Sequence, residues 1–282
     1  MDIRIRPFQT MADAEGIVEV QRQAWQMADL GIVPTFETRA VADAGFVYVA
    51  EHDHKVIGFI YGYHHFPDIH YSHMMAVLPE YHSQSVGYKL KQYHRQQALQ
   101  SPYPVQAVQW TVDPLLPNNA YLNFAKLGGY CDIYKINYYG DPDSDGVEIY
   151  AGVPTDRFKL TWPIHARRVA RRMEDYKPDR LTYIQLLEQV SPINHIQDFE
   201  YEGSTQVPED VSRFLVEVPV DYQYIRRHAI DKAMDWRLKF REICLTALEQ
   251  DFVVADYHHV TDNGTPHNFY EFCLRDAFDG FE

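Results

Sequence analysis

Cysteine is scarce in this chain: three stand in 282 residues, at Cys131, Cys244 and Cys273. Their number is odd, they lie far apart, and no C-x-x-C pair occurs. That excludes a disulfide framework and a zinc knuckle, and it predicts reduced thiols in a cytoplasmic protein. Long apolar runs are missing too. Nothing approaches the roughly 18 residues of a membrane span. The N-terminal MDIRIRPFQT alternates like a strand and lacks the apolar centre of a signal peptide. Basic residues are few, 26 Lys and Arg against 40 Asp and Glu, for a formal net charge of -14. Such a field argues against nucleic acid and anionic membranes as partners and leans toward a cationic substrate. Also absent are G-x-S-x-G, a nucleophilic-cysteine motif, and the Walker and Rossmann glycine patterns. Histidines crowd residues 52–82, but H-E-x-x-H is absent and HDHK reads as a turn. We expect surface and pocket histidines there and no metal site.

What is present is ordinary for a soluble globular protein: 46% hydrophobic residues, with aromatics high at 14% and 21 tyrosines among them. The length fits one large domain or two modest ones. Residues 3–8 alternate as a strand, residues 11–29 carry helical spacing, and a short helix follows Pro34 around 36–44. Three strands are expected at 46–51, 56–63 and 71–78, the first two joined by the HDHK turn. A helix covers 85–100 with Val86, Leu90 and Tyr93 as its apolar stripe and Lys89, Lys91, Gln92 and Arg95 on other faces. Then come a strand at 105–112, a helix at 118–127 closed by Gly128-Gly129, and a strand at 130–139. Residues 140–146 (GDPDSDG) read as an acidic turn-rich loop. The order β-α-α-β-β-β-α-β-α-β predicts a mixed α/β (α+β) sheet, mainly antiparallel, with flanking helices and one strand–helix–strand crossover. We place this domain at 1–162. Residues 163–282 form a smaller C-terminal α+β region: a basic helix at 164–177, a strand at 214–218, a long helix at 221–250, and strands at 252–258 and 269–274.

The stretch AVLPEYHSQSVGYKLK (76–91) reads as strand, turn and helix start. A helix N-terminus offers unpaired N–H groups and a favourable dipole to an anion. Close approach of the preceding turn favours glycine there. A serine forced into left-handed geometry costs about 1–2 kcal/mol, while its hydroxyl can donate to a phosphate.

This stretch resembles the acetyl-CoA-binding turn of the GNAT superfamily of acyltransferases. HSQSVG aligns with a pattern of Gln or Arg, two free positions, Gly, one free position, then Gly or Ala. His82 takes the place of Gln or Arg, Ser85 that of the first glycine, and Gly87 fits the last. YSHMMAVLPEY, VQWTVDPLLPNNAYLNFAKLGG, YKINYYG and VPTDR extend the resemblance over about 70–162, and WRLKFRE and FVVADY continue it. They resemble a group of that superfamily with a C-terminal extension. The resemblance implies a GNAT-like fold with strands four and five splayed. It implies acetyl-CoA, or another acyl-CoA, as co-substrate of an N-acetyltransferase acting by direct attack of an amine. The backbone of Met75, Ala76 and Val77 would hold the pantetheine arm, a nearby N–H would polarise the thioester carbonyl, and His82, Ser83, Gln84, Ser85, Val86, Gly87 and Tyr88 would hold the pyrophosphate. The strand end at 111–113 and Asn119 would line the other wall.

The chemistry needs a base for the ammonium and often an acid for the thiolate. His73, one strand alternation from Met75, is the first candidate base; its alternative is a histidine bonded to a carbonyl. Asp113 is the second, with a cap or turn role before Pro114 as its alternative. FAKLGG puts Phe124 where the family's acid tyrosine stands, so Tyr121 is the candidate substitute. The acceptor is a small-molecule or peptide amine. The C-terminal region shapes its pocket or forms an oligomer contact, a homodimer among the options. The alternative to an enzyme is a catalytically degenerate GNAT-fold binding or regulatory protein. Arg167, Arg168, Arg171 and Arg172 are read as a solvated face pairing with acids, Trp236 as a core anchor, and Arg241 as an ion-pair partner.

Overall fold

The computed structural model describes residues 2–25, 31–140, 152–174 and 181–281. Its contacts divide into two compact units, Met1–Trp110 and Thr111–Glu282. The 140–146 loop, apart from Gly140, and the ends of the helices expected at 11–29 and 164–177 lie outside the described residues.

The first unit runs β1 (Arg4–Pro7), α1 (Met11–Trp25), α2 (Thr35–Ala44), β2 (Gly45–His52), β3 (Lys55–His65), β4 (Ile69–Val77), a 3-10 turn (Pro79–Gln84), α3 (Val86–Leu99) and β5 (Ala107–Val112), within which the division falls. The first four strands are antiparallel neighbours in the order β1-β2-β3-β4, and β5 joins β4 in parallel. The β2–β3 hairpin closes through Asp53 and His54, both left-handed at φ 48° and 60°, residues that tolerate that region better than most. Ile17 and Val20 of α1, Val49 of β2, Ile57, Phe59 and Ile60 of β3, and Val86 and Leu90 of α3 are buried together as the core. Gly62 has no room for a Cβ: the Tyr71 carbonyl and the Phe46 ring would meet it. Glycine at 58–62 thus serves close strand packing.

The second unit holds α4 (Pro117–Ala120), a π-helical turn (Tyr121–Lys126), β6 (Tyr130–Lys135), β7 (Arg157–Pro163), α5 (Arg167–Glu174), α6 (Tyr183–Gln189), a small hairpin β8–β9 (Asn194–Gln197 and Glu200–Gly203), β10 (Arg213–Val218), α7 (Tyr222–His228), α8 (Ile230–Glu249), β11 (Phe252–Asp262) and β12 (Thr265–Leu274). Its main strands pair antiparallel in the order β7-β6-β11-β12-β10. The compact division falls at 110/111, and residues 162 and 163 both lie inside the second unit. β6 takes β11 as a strand partner, which ties residues 130–163 to the C-terminal strands.

Three further features differ from the sequence expectation. The helix expected at 118–127 widens after its first turn, with Leu127 N–H bonding to Leu122 O, five residues back, at 2.9 Å. Arg172 donates to the Phe124 and Ala125 carbonyls at the end of that wide turn. The long helix at 221–250 breaks at Ala229, which sits at φ -150°, ψ 69°; no glycine or proline marks the break. Finally, α6 opens on a capping box, Thr182 with Gln185, and T-x-x-Q was its available signal.

Candidate functional site

The β4–β3 register shifts between Tyr61↔Met74 and Gly62↔Ser72. His73 is therefore the extra residue of a bulge, which re-aims its side chain. Its imidazole sits among three tyrosines, with ring centroids 5.6 Å from Tyr61, 5.8 Å from Tyr63 and 6.3 Å from Tyr71. One side of the ring reaches solvent. The crowding desolvates the other, and this lowers the His73 pKa from 6.5, with Glu37 partly opposing. His73 is neutral at pH 7 and able to accept a proton; among the described residues no carbonyl bond to it occurs.

β4 and β5 pair only at Ile69↔Ala107, His70↔Val108 and Tyr71↔Gln109. β4 continues for six more residues beyond that ladder, to Val77. Leu78 donates to Ile57 of β3 at 2.9 Å. Strand alternation then turns the backbone groups of Ala76 toward β3 and those of Met75 and Val77 to the opposite edge.

The chain next makes its 3-10 turn and reaches Ser85 at φ 56°, ψ 26°. The serine at the glycine position does adopt the left-handed geometry. α3 begins at Val86, which is buried and pins the turn to the core, while Ser83 and Ser85 are exposed. The first intrahelical bond is Lys89 N–H to Ser85 O, so the N–H groups of Val86, Gly87 and Tyr88 form the first turn that an anion would meet. His82 donates from Nε2 to the Val77 carbonyl at 3.0 Å. That bond ties Nε2 back to the end of β4. The exposed serine hydroxyls and the first-turn N–H groups are donors that an anion would meet here.

Lys91 and His94 were missed. Lys91, expected on a polar face of α3, is 1% exposed, and His94 is 0% exposed. The buried stripe of α3 is Val86, Leu90, Lys91, His94 and Ala98. Its i, i+4 spacing through 86, 90, 94 and 98 was the available signal.

The other expected site residues, Asp113, Asn119 and Tyr121, belong to the second unit. Asp113 is buried, and both its oxygens accept from Arg237 Nη2 at 2.9 Å. Its Oδ1 also accepts from Leu115 N–H at 3.0 Å, and Arg157 lies 3.7 Å away. The turn-capping alternative describes the Leu115 contact, and the Arg237 contacts tie Asp113 to α8. Asn119 is exposed on α4, and Tyr121 opens the π-helical turn with Lys126 Nζ 5.4 Å over its ring. Phe124 is buried between Phe158 and Tyr270. It fills the core of this unit.

The later motifs that carried the resemblance, from VQWTVDP onward, supply buried ion pairs and hydrogen bonds here. Asp156 accepts from Arg241 twice at 2.8 Å and from the Tyr134 hydroxyl at 2.9 Å. Asp113 joins Arg237 and Arg157, as above. Trp236 is fully buried and donates to the Phe199 carbonyl. Of the basic helix, Arg168 and Arg172 turn inward to Asp256, at 3.1 and 2.6 Å, rather than standing on a solvated face.

Residues 43–128 match the family model of the acetyltransferase (GNAT) domain. Over that stretch the chain is similar to a GNAT domain. Among solved structures, the chain is similar to a ribosomal-protein-alanine N-acetyltransferase from Escherichia coli, at 16% identity and TM-score 0.46 over 64% of this chain and 100% of that one. It is similar to a GNAT family acetyltransferase from Elizabethkingia anophelis with acetyl-CoA bound, at 18% identity and TM-score 0.42 over 57% and 97%. It is also similar to an aminoglycoside 6'-acetyltransferase type Ii, at 15% identity and TM-score 0.46 over 58% and 99%. No curated protein matches the chain. Among the described residues, no helix is long and apolar enough to cross a membrane.

Proposed function

We propose that this protein is an acyl-CoA-dependent N-acyltransferase, with acetyl-CoA as the first acyl donor to test. One observation carries the reading. β4 and β5 stop pairing after Tyr71↔Gln109, and the freed length of β4 runs directly into a left-handed turn and a helix N-terminus. A pantetheine arm carries amide groups and fits an open strand edge, here Met75 and Val77. A pyrophosphate fits the first turn of α3, with the Ser83 and Ser85 hydroxyls as added donors. The acyl-CoA supplies an activated carbonyl and a good leaving group.

The acceptor is an amine, small molecule or peptide. His73 takes the proton from its ammonium, freeing the lone pair for attack on the thioester carbonyl. Backbone N–H on the open β4 edge stabilises the oxyanion. The net charge of -14 attracts a cationic acceptor.

Calorimetric titration with acetyl-CoA, beside free CoA and desulfo-CoA, tests the reading. We expect saturable micromolar binding that Ser85→Asp abolishes by placing an anion where the pyrophosphate sits. With an amine screen in hand, His73→Gln should lower kcat while leaving acetyl-CoA binding intact. Absence of binding by every CoA species overturns the proposal.

A further inference from the structure

The first unit buries a set of basic groups for which acyl transfer to an outside amine has no use. Lys91 Nζ lies 3.2 Å from Ser72 Oγ and 3.5 Å from the centre of the Trp110 indole. Ser72 follows Tyr71, and Trp110 follows Gln109, the last paired residues of the β4–β5 ladder. The amine therefore lies at the point where the two strands part. Among the described residues no carboxylate pairs with it. Three residues along the same helix face, His94 Nε2 meets His70 Nδ1 at 3.2 Å, and His94 Nδ1 is buried with no partner. Phe46 covers both rings, 4.1 Å from His94 and 5.2 Å from His70.

Three buried bases without a buried acid cannot all hold protons. Burial pushes the Lys91 amine well below an ordinary lysine. Burial and then Lys91 do the same to His94, and burial, with His64 adding to it, takes His70 to about 4. A neutral amine keeps its lone pair and is a nucleophile.

We propose that Lys91 is an internal acyl acceptor, its Nζ taking the acyl group from an acyl-CoA bound along the open edge of β4. The inference rests on the acyl-CoA reading above. The Nζ lone pair attacks the thioester carbonyl carbon, the N–C bond forms and the C–S bond breaks. Sulfur leaves with its electron pair, and the proton lost by nitrogen ends on it. The products are one acyl-lysine and one CoA thiol. The amide made is uncharged, as the buried amine is, so the site beside Trp110 takes on no charge.

The test is incubation of the full chain with acetyl-CoA and no amine, followed by intact mass and peptide mapping. We expect one acetyl group, at Lys91, with an occupancy that saturates with acetyl-CoA and falls at least tenfold in Ser85→Asp. The exposed Lys55 and Lys135 report non-specific transfer and should stay unmodified. In Lys91→Met the adduct should disappear while the calorimetric acetyl-CoA signal remains; the wild-type map decides the matter even where that variant folds poorly. Saturable acetyl-CoA binding with Lys91 unmodified, or acetyl spread over the exposed lysines alone, overturns the inference and leaves the acyl-CoA reading standing. Absence of acetyl-CoA binding overturns both.

Discussion

The two units treat their most deeply buried basic groups in opposite ways. The second unit matches each buried cation with an acid: Arg237 with Asp113, Arg241 with Asp156, Arg172 and Arg168 with Asp256. The first unit buries Lys91, His94 and His70 with no acid among them. A paired network fixes a scaffold, because losing either partner leaves an orphan charge. An unpaired basic set costs stability as it stands, so its retention points to chemistry. Removing a buried cation should therefore have opposite signs in the two places. Arg237→Met strands Asp113 and should cost about 3–5 kcal/mol, read from chemical denaturation. Pairing it with Asp113→Leu should recover part of that loss.

Lys91→Met should move the other way, by a smaller amount. It removes a polar group whose burial costs about 1–2 kcal/mol, and the gain should appear as a higher Tm at neutral pH. The sign follows from the shift. The folded Lys91 value lies below 10.5, so between the two values the unfolded chain holds a proton that the folded chain has given up. That favours unfolding, and the penalty shrinks as pH rises toward 10.5. The advantage of Met over Lys should narrow over the same range. A loss of stability at pH 7 would mean that Trp110 and Ser72 hold Lys91 as a structural cation, and the contrast between the units would fail.

Acid should separate the units as well. His70 titrates at about 4 folded against 6.5 unfolded. Within that window the unfolded chain binds more protons, so stability rises with pH at up to about 1.4 kcal/mol per unit for this one group. His94, lowered too, steepens the slope. Asp256 behaves differently. Burial opposes its charge, but Arg172 and Arg168 outweigh burial and hold its carboxyl below 3.8. Its contribution is complete above the ordinary carboxylate range and is lost only as pH falls below it. Amide exchange at pH 5 against pH 7, corrected for intrinsic rates, should show protection lost in β4 and α3 and kept in α5 and β11. His70→Phe should flatten the first-unit response.

The sequence was most legible where a local rule settles the structure. HDHK between two apolar runs yields the β2–β3 hairpin, and Gly128 at φ 75° closes the wide helix as a glycine can. The element order of the first unit follows from periodicity. The inward turn of Lys91 did not, because a cation is scored as solvent-facing unless its neighbours on the helix are weighed. The bulge at His73 depends on two strands at once, and periodicity in either strand alone is blind to it. The break at Ala229 has no breaker residue. The division at 110/111 depends on β6 finding β11, a pairing more than a hundred residues apart in sequence, as Cys131↔Val254 shows. At the site, the turn was readable from strand, serine and glycine. The role of His82 was not, since its bond runs back to Val77 rather than outward.

The smallest effect bears on the strained backbone at the candidate site of the first unit. Ser85 holds φ 56° with no side-chain cap bond, a geometry costing a non-glycine residue about 1–2 kcal/mol. Ser85→Gly relieves that strain but adds roughly 0.5–1 kcal/mol of unfolded-state entropy. Thermal unfolding should therefore show a net gain of about 1 kcal/mol or less. The informative readout is acetyl-CoA affinity in the same variant. Glycine lets the backbone approach a pyrophosphate at least as closely as serine does, so equal or tighter binding is expected if N–H groups do the holding. Binding more than tenfold weaker would show that the hydroxyl itself contacts phosphate. The strained serine would then be a ligand retained at the expense of stability, and the first unit would carry two such compromises, at Ser85 and at Lys91.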